Sequence, residues 1–349
     1  MQKYGTYPKA MLRDLMSQNI IQGGSEGALN PGSLNLCLTG EMFRLNSFQQ
    51  PSVGQSVWAM MKEVGFSMHH PSHPCEVGLH YIARLQERLE LPEDLYGYAN
   101  PRSTTGRQFV HTRVLVNGDP GLDQVPRGYR GELWALIRCL AFPGVFSEGD
   151  QLTQLRVFNK DTRLSLEQVK EEHRKTPLVV DHEGKPISFE NLRVDRDGSV
   201  YLHLNLKPVN GPAAYVSRQT NRPAFFSKPN PKDEFFKALF VETLKLGMKE
   251  KRFYITTSDE GLCLPGHITA EIAPMDERII EARNNFAGFV DQGFSGQITC
   301  EMAVQEPLTL THRQVVARVR FEYVCGDNHD VYEGSYQGQS GPKLAKNFV

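Results

Sequence analysis

No two cysteines of the chain are near neighbours in sequence. The six lie singly at positions 37, 75, 139, 263, 300 and 325. No Cys-x-x-Cys occurs, so neither a zinc ribbon nor a dithiol motif is indicated. Scattered single thiols fit a reducing, cytoplasmic setting. "HHPSHPC" at 69–75 carries two prolines, matches no zinc spacing and reads as a loop. Charge of one sign is also missing: 39 Lys and Arg oppose 40 Asp and Glu, a net charge of −1. That removes the overall basic field that attracts nucleic acid polymers and leaves room only for a local anion pocket. No apolar run approaches the roughly 18 residues that span a bilayer. The opening "MQKYGTYPKAMLRDLMSQ" lacks the charged-then-apolar layout of a secretory signal. Neither a nucleic acid polymer nor a membrane is therefore expected as a partner.

What is present is strand after strand. "LNLCL", "LHYIARL", "RVLV", "LWALIRCL", "LTQLRVF", "VYLHLNL", "RFYITT", "QITCEMAV" and "VVARVRFEYV" are short, alternating or apolar, and rich in β-formers. Gly, Pro, Asn and Asp turns separate them. Helical spacing is confined to three places. Residues 9–20 carry Met11, Leu12, Leu15 and Met16. Residues 233–248 carry Phe236, Leu239, Phe240 and Leu244 behind Asp233 as a candidate N-cap. "SLEQVKEEHRK" at 165–175 reads as a solvated linker helix.

The strands repeat in order. Gly128-Tyr129-Arg130-Gly131 returns as Gly293-Phe294-Ser295-Gly296, each followed by a strand. Gly32-Ser33-Leu34 pairs with Gly198-Ser199-Val200, Leu91-Pro92…Pro101 with Leu264-Pro265…Pro274, and "QLTQLRVF" with "QVVARVRF". Offsets run from 163 to 173 residues. Four landmarks in one order predict two homologous β domains, roughly 1–172 and 173–349. The copies differ in one telling place: five residues past the last turn glycine the second has Glu301 and the first Leu136.

"NPRSTTGRQFV" (100–110) offers Arg102, Ser103, Thr104 and Arg107 around Gly106. Two guanidiniums, two hydroxyls and several backbone amides suit a polyphosphate; a solvated turn with incidental arginines is the other reading of that stretch alone. Together, "LPEDLYGYANPRSTTGR", "GYRGELWALI" and "GDQLTQLRVF" resemble the dUTPase / dCTP deaminase superfamily. That family has an Arg-Ser-Ser phosphate motif, a Gly-Tyr-Arg-Gly turn and a Gly-Asp-x-x-x-Gln-Leu strand in this order. The end, "YEGSYQGQSGPK" (332–343), resembles the deaminase tail that closes over nucleotide, and "NPGSLNLCL" their first strand, with Asn35 where the family usually has Asp.

The resemblance implies a mainly β fold: two tandem dUTPase-like distorted β jelly-roll (β-clip) domains with a few short helices. It implies zinc-independent hydrolysis of dCTP to dUTP and ammonia, within pyrimidine deoxynucleotide supply, with Mg2+ carried on the triphosphate. The family's catalytic Glu matches Glu301, and its deoxyribose-binding Asp matches Asp291. Arg102, Ser103, Thr104 and Arg107 would hold phosphate, with Ser103 and Arg107 serving the chemistry as well. Thr299 lies on the Glu301 face of its strand. Tyr332, Tyr336, Gln339 and Lys343 would form the lid. Where the first half has its cradle the second has "APMDERII" (273–280), in which Arg278 is a candidate counter-ion for Glu301. One half then supplies phosphate binding and the other chemistry, in a composite site. Two further readings stay open: a dUTPase or bifunctional deaminase–dUTPase, with Asp123 or Asp291 as base, and a non-catalytic nucleotide binder. Family members usually form homotrimers, so an oligomer of pseudo-dimeric chains is a further expectation.

Overall fold

A computed structural model describes residues 2–70, 72–275, 283–284, 287–327 and 330–349. Each half builds ten comparable strands. In the first these are β1 (Ile21–Gln22), β2 (Leu34–Leu36), β3 (Leu38–Leu45), β4 (Phe66–Met68), β5 (Tyr81–Glu90), β6 (Tyr96–Pro101), β7 (Val110–Val116), β8 (Gln124–Val125), β9 (Arg130–Cys139) and β10 (Thr153–Phe158). In the second they are β11 (Val179–Val180), β12 (Val200–His203), β13 (Ala214–Ser217), β14 (Phe236–Leu239), β15 (Phe253–Cys263), β16 (Ile268–Ala273), β17 (Arg283–Asn284), β18 (Phe289–Val290), β19 (Ser295–Ala303) and β20 (Val315–Tyr323).

The pairings match strand for strand. One sheet of the first half runs β4-β3-β5-β9-β7 with β1 added to β5, and its counterpart runs β14-β13-β15-β19-β17 with β11 added to β15. The other sheets run β2-β10-β6-β8 and β12-β20-β16-β18. Even the irregularities recur: β5 bulges against β9 between Arg84 and Arg88, and β15 against β19 between Thr257 and Gly261. Each bulge holds a buried glutamate whose carboxylate accepts a backbone N–H from the end of the first core strand. Glu87 accepts from Cys37 at 3.0 and 3.2 Å, and Glu260 from His203 at 2.8 Å.

The repeated turns owe their form to glycine. Gly128 and Gly293 sit at φ +66° and +78°, and Gly131 and Gly296 at +157° and +142°, where a side chain is strained. Each half has its own apolar core. A third cluster at the seam gathers Phe109 and Phe142 of the first half with Phe235, Phe236, Ile255 and the C-terminal Leu344, Ala345 and Phe348.

Helices are short: α1 (Lys9–Ser17), α2 (Val57–Val64), the single turn α3 (Ser103–Gly106), α4 (Leu166–Lys175) and α5 (Lys232–Phe235). None is long and apolar enough to cross a membrane. Two expectations need correction. The span 233–248 holds not one helix but α5, then β14, which pairs with β13, then a further short strand at Lys245–Met248. Consecutive Phe235 and Phe236 are both buried in the seam, and Leu244 lies at φ +55°, outside helical geometry. The segment 165–175 is helical but docked rather than solvated. A capping box of Ser165 and Gln168 starts it, and buried His173 joins Ile187 O (2.7 Å) and the Leu178 amide (3.1 Å).

Helix α2 accounts for the missing carboxylate of the first half. Ser56 caps it, and its Val57, Met60 and Met61 pack on Ile82, Trp134 and Leu136. The face of β9 that corresponds to the Glu301 face of β19 is thereby an apolar core, in which an ionised group would be costly.

Candidate active site

Strand β6 ends at Pro101, which has no amide to continue the ladder. The chain turns into α3, with Arg107 N–H donating to Ser103 O at 3.0 Å. The turn is pinned to the residue before β10, where the Arg102 amide and the Thr105 hydroxyl both donate to Leu152 O (3.0 and 2.7 Å). Arg102 is aimed by Gln151, whose backbone and side-chain oxygens accept from Nη1 at 3.2 and 3.0 Å. Arg107 is buried, 4% exposed. Burial pulls the pKa of both arginines below the ordinary value; the nearby Glu301 carboxylate opposes this at Arg107.

Strand β19 meets this turn from the other half. Alternation turns Gln297, Thr299 and Glu301 to one face. Glu301 is 2% exposed, accepts the Ala287 N–H at 3.0 Å and lies directly against Gly106. The next amide, of Gly288, donates to Asn100 Oδ1 at 2.5 Å. Thr299 Oγ1 is buried with no hydrogen-bond partner among the described residues, so a polar group placed there has a partner waiting. Asp291 completes the wall. Its carboxylate lies 3.7 Å from Arg156, and burial raises its pKa against the pull of that arginine and of the Gly32 N–H.

The C-terminal segment roofs the cavity. Tyr336 stacks under the Arg107 guanidinium, 3.7 Å from centroid to Cζ, and its hydroxyl joins Thr104 Oγ1 at 3.1 Å. Arg107 donates to Gln339 Oε1 (3.0 Å) and to Lys343 O (3.2 Å). Gly296 permits this approach, because a Cβ there would meet the backbone of Gln339 at 2.9 Å. The segment ends docked, with Asn230 and Asn347 tying their backbones together and Phe348 in the seam.

Arg102, Ser103, Thr104, Arg107, Asp291, Thr299, Glu301, Tyr332, Tyr336 and Gln339 thus surround one cavity of about 110 Å³. Small-molecule sites hold roughly 300–1,000 Å³. Additional room lies next door, in a cavity of about 430 Å³ that shares Arg102 and Thr104 and adds Lys228 and Lys346. Two expected residues stand apart, and a third is not described. Lys343 contributes its carbonyl, while its side chain is exposed and off the cavity. Asp123 is fully buried elsewhere, held by Arg113 and the Val114 amide (2.8 Å). That enclosure leaves it no route to the cavity as a base. Arg278 lies outside the described residues.

Some contributors escaped the sequence reading. Arg156 of β10 crosses the seam fully buried, donating to Ala270 O (3.2 Å) and Val290 O (3.1 Å) beside Asp291 and Glu322. Its signal was a charge inside the apolar run "LRVF". Asn30 and Gln154 also line the cavity, tied through Ser33 (3.3 and 2.9 Å). Among the described residues no three His, Cys, Asp or Glu side chains group to hold a metal ion.

Known proteins resemble the chain at both levels. The pattern of the 2'-deoxycytidine 5'-triphosphate deaminase (DCD) N-terminal domain matches residues 3–161, and that of the C-terminal domain residues 165–348. A "dCTP deaminase, dUMP-forming" of Aquifex aeolicus is 31% identical over 102 residues, 26% of this chain and 52% of that protein. The one of Persephonella marina is 28% identical over 113 residues, 29% of this chain and 58% of that protein. The chain therefore spans only about half the length of these curated relatives. The crystal structure of 2'-deoxycytidine 5'-triphosphate deaminase from Agrobacterium tumefaciens superposes with a TM-score of 0.84 at 26% identity, covering 93% of this chain and 99% of that one. With both domain patterns in succession along one polypeptide, the chain belongs to the 2'-deoxycytidine 5'-triphosphate deaminase (DCD) family.

Proposed function

We propose that the chain hydrolyses dCTP to dUTP and ammonia at this composite site, without zinc. The observation that carries the reading is the packing of Glu301 against the Arg102–Arg107 turn, an acid and an anion cradle from opposite halves. Arg102, Ser103, Thr104 and Arg107 hold the phosphates through charge-assisted bonds. The outer phosphates extend past Arg102 and Thr104 toward Lys228 and Lys346. Asp291 accepts the sugar 3′-OH and Thr299 contacts the base. Glu301 takes a proton from water as its oxygen attacks C4 of cytosine; Ser103 helps place that water. The C4–N4 bond then breaks as Glu301 returns the proton to N4, releasing ammonia; the proton left on the C4 oxygen passes to N3, giving the C4 carbonyl and N3–H of dUTP. The Ala287 N–H keeps the carboxylate oriented between the two transfers. Such a general base typically contributes about 10²–10⁴-fold.

Magnesium belongs to the substrate in this scheme, arriving on triphosphate and water oxygens as that ion prefers. Tyr332, Tyr336 and Gln339 shield the reaction from bulk water. The tail must part from Arg107 to admit nucleotide, because Gln339 and the Lys343 carbonyl take its N–H groups in this closed state. We further propose two domains, 1–172 and 173–349, derived by tandem duplication, with cytoplasmic nucleotide supply as the setting and a homo-oligomer of such chains as the assembly.

The names of the Aquifex and Persephonella relatives favour a second reading, in which the product is dUMP. A further water would then attack the α-phosphate with Asp291 as base, releasing pyrophosphate. Incubation with dCTP and chromatography of the products separates the two: dUTP with ammonia, or dUMP with pyrophosphate as well. Recovery of unchanged dCTP would defeat both.

A further inference from the structure

A second cleft opens between the halves, and none of its lining residues lines the catalytic cavity. Its volume is about 690 Å³, within the roughly 300–1,000 Å³ typical of small-molecule sites. Arg138 reaches it from β9 of the first half; Arg218, Lys251 and Arg252 come from the second. No Asp or Glu is among the described residues that line it. None of the four cations has an ion-pair partner among the described residues. Two are aimed by backbone: Arg252 Nη1 donates to Ser217 O at 2.9 Å and Arg218 Nε to Phe236 O at 3.3 Å. Arg138 Nε is buried with no acceptor among the described residues.

In a chain of net charge −1, four unpaired cations around one concave space repel one another. A bound anion of several charges relieves that repulsion, and the concave shape focuses the field on it. Guanidiniums fixed by one N–H keep their remaining donors in a planar fork that matches phosphate oxygens. Phe253 adds an aromatic surface to the wall. We infer that this cleft is a second anion-binding site, taking a polyphosphate chain either free or as part of a nucleotide.

Calorimetric titration at about 0.15 M salt, with inorganic tripolyphosphate and separately with ATP, tests it. The exposed pair is reversed, Arg218→Glu with Lys251→Glu, in the whole chain and again in an Arg107→Ala background that disables the catalytic cradle. The expected result is one binding event that survives Arg107→Ala and weakens at least about tenfold, roughly 1.4 kcal/mol, on charge reversal. Equal affinity for both ligands assigns the site to the phosphate chain; ATP binding about tenfold tighter adds the nucleoside. If Arg107→Ala does not fold, the otherwise unaltered chain is expected to bind two equivalents and the charge-reversed chain one. Unchanged affinity and stoichiometry after reversal would overturn the inference, as would failure of both ligands to bind outside the catalytic cavity.

Discussion

The carboxylate of Glu301 occupies the space that a side chain on Gly106 would need. A Cβ built there would lie 2.6 Å from Glu301 Cδ, closer than real Cβ atoms come. The glycine ends the one-turn helix α3, and the glutamate stands on β19 of the opposite half. Their contact joins the two roles proposed above for the halves, phosphate binding and proton transfer. Gly106→Ala is therefore expected to push the acid out of line while the cores stay intact. Turnover should fall about 10²-fold, the scale of a misplaced catalytic group, with little change in thermal unfolding. Near-normal kcat in this variant would mean the contact is incidental.

Arg156 should behave as the structural pin of the seam. Its guanidinium is fully buried against two carbonyls, with Asp291 and Glu322 within 4.0 Å. Arg156→Met leaves Asp291 without a counter-charge and Glu322 with only Arg163 and Arg320, and removal of one partner from a buried ionic cluster costs about 3–5 kcal/mol. Urea unfolding should register that loss. A change below about 1 kcal/mol, the scale of an exposed pair, would show the cluster to be solvated.

The tail contacts predict a KM effect separated from kcat. Gln339→Ala frees one amino group of Arg107, and Tyr336→Phe removes the bond to Thr104. Each loses a contact worth about 1 kcal/mol, so dCTP KM should change about three- to tenfold while kcat holds within a factor of about three. A collapse of kcat with unchanged KM would place these residues in the chemical step instead.

That the Arg102–Arg107 turn and Glu301 meet at one cavity was legible in the sequence because the parts are local. Arg102 to Arg107 lie in one hexapeptide, Glu301 follows a turn glycine at fixed spacing, and alternation along β19 fixes its face. The strands too announced themselves, since alternating apolar residues and Gly or Pro turns are short-range signals. What stayed hidden depends on distant contacts. The burial of Phe235 beside Phe236 is decided by Phe142 and Phe348, more than ninety residues away in either direction, so helical spacing misled at 233–248. Arg156 looks like one more strand residue until β16 and β18 supply the carbonyls it bonds. The docking of α2 over Leu136 likewise follows from a sheet face that no local pattern identifies as apolar.

Buried Glu87 sets a pH dependence for stability. Burial lifts its pKa from the ordinary 4.5 to about 7, opposed by the Cys37 amide. The folded state thus holds this proton over a range in which the unfolded chain has released it. The contribution is full below about pH 4.5 and is lost as pH rises through about 7. At roughly 1.4 kcal/mol per unit, the loss is on the order of 3 kcal/mol. Glu87→Gln removes that share, so the variant should exceed the parent in denaturant stability at pH 8 and lose the advantage near pH 4.5. Glu271, also raised to about 7 mainly by burial, should leave a residual slope. Parallel stability–pH curves for parent and variant would show Glu87 to be ordinary.

The measurement closest to the central claim is a paired assay of Glu301→Gln, with ammonia release from dCTP in one arm and dCTP binding in the other. The amide keeps the shape and can still accept the Ala287 N–H, but it cannot carry a proton between water and N4. The account predicts turnover reduced by about 10²–10⁴-fold with dCTP affinity within a few-fold of the parent. Turnover at the parent's rate, with binding equally intact, would contradict it.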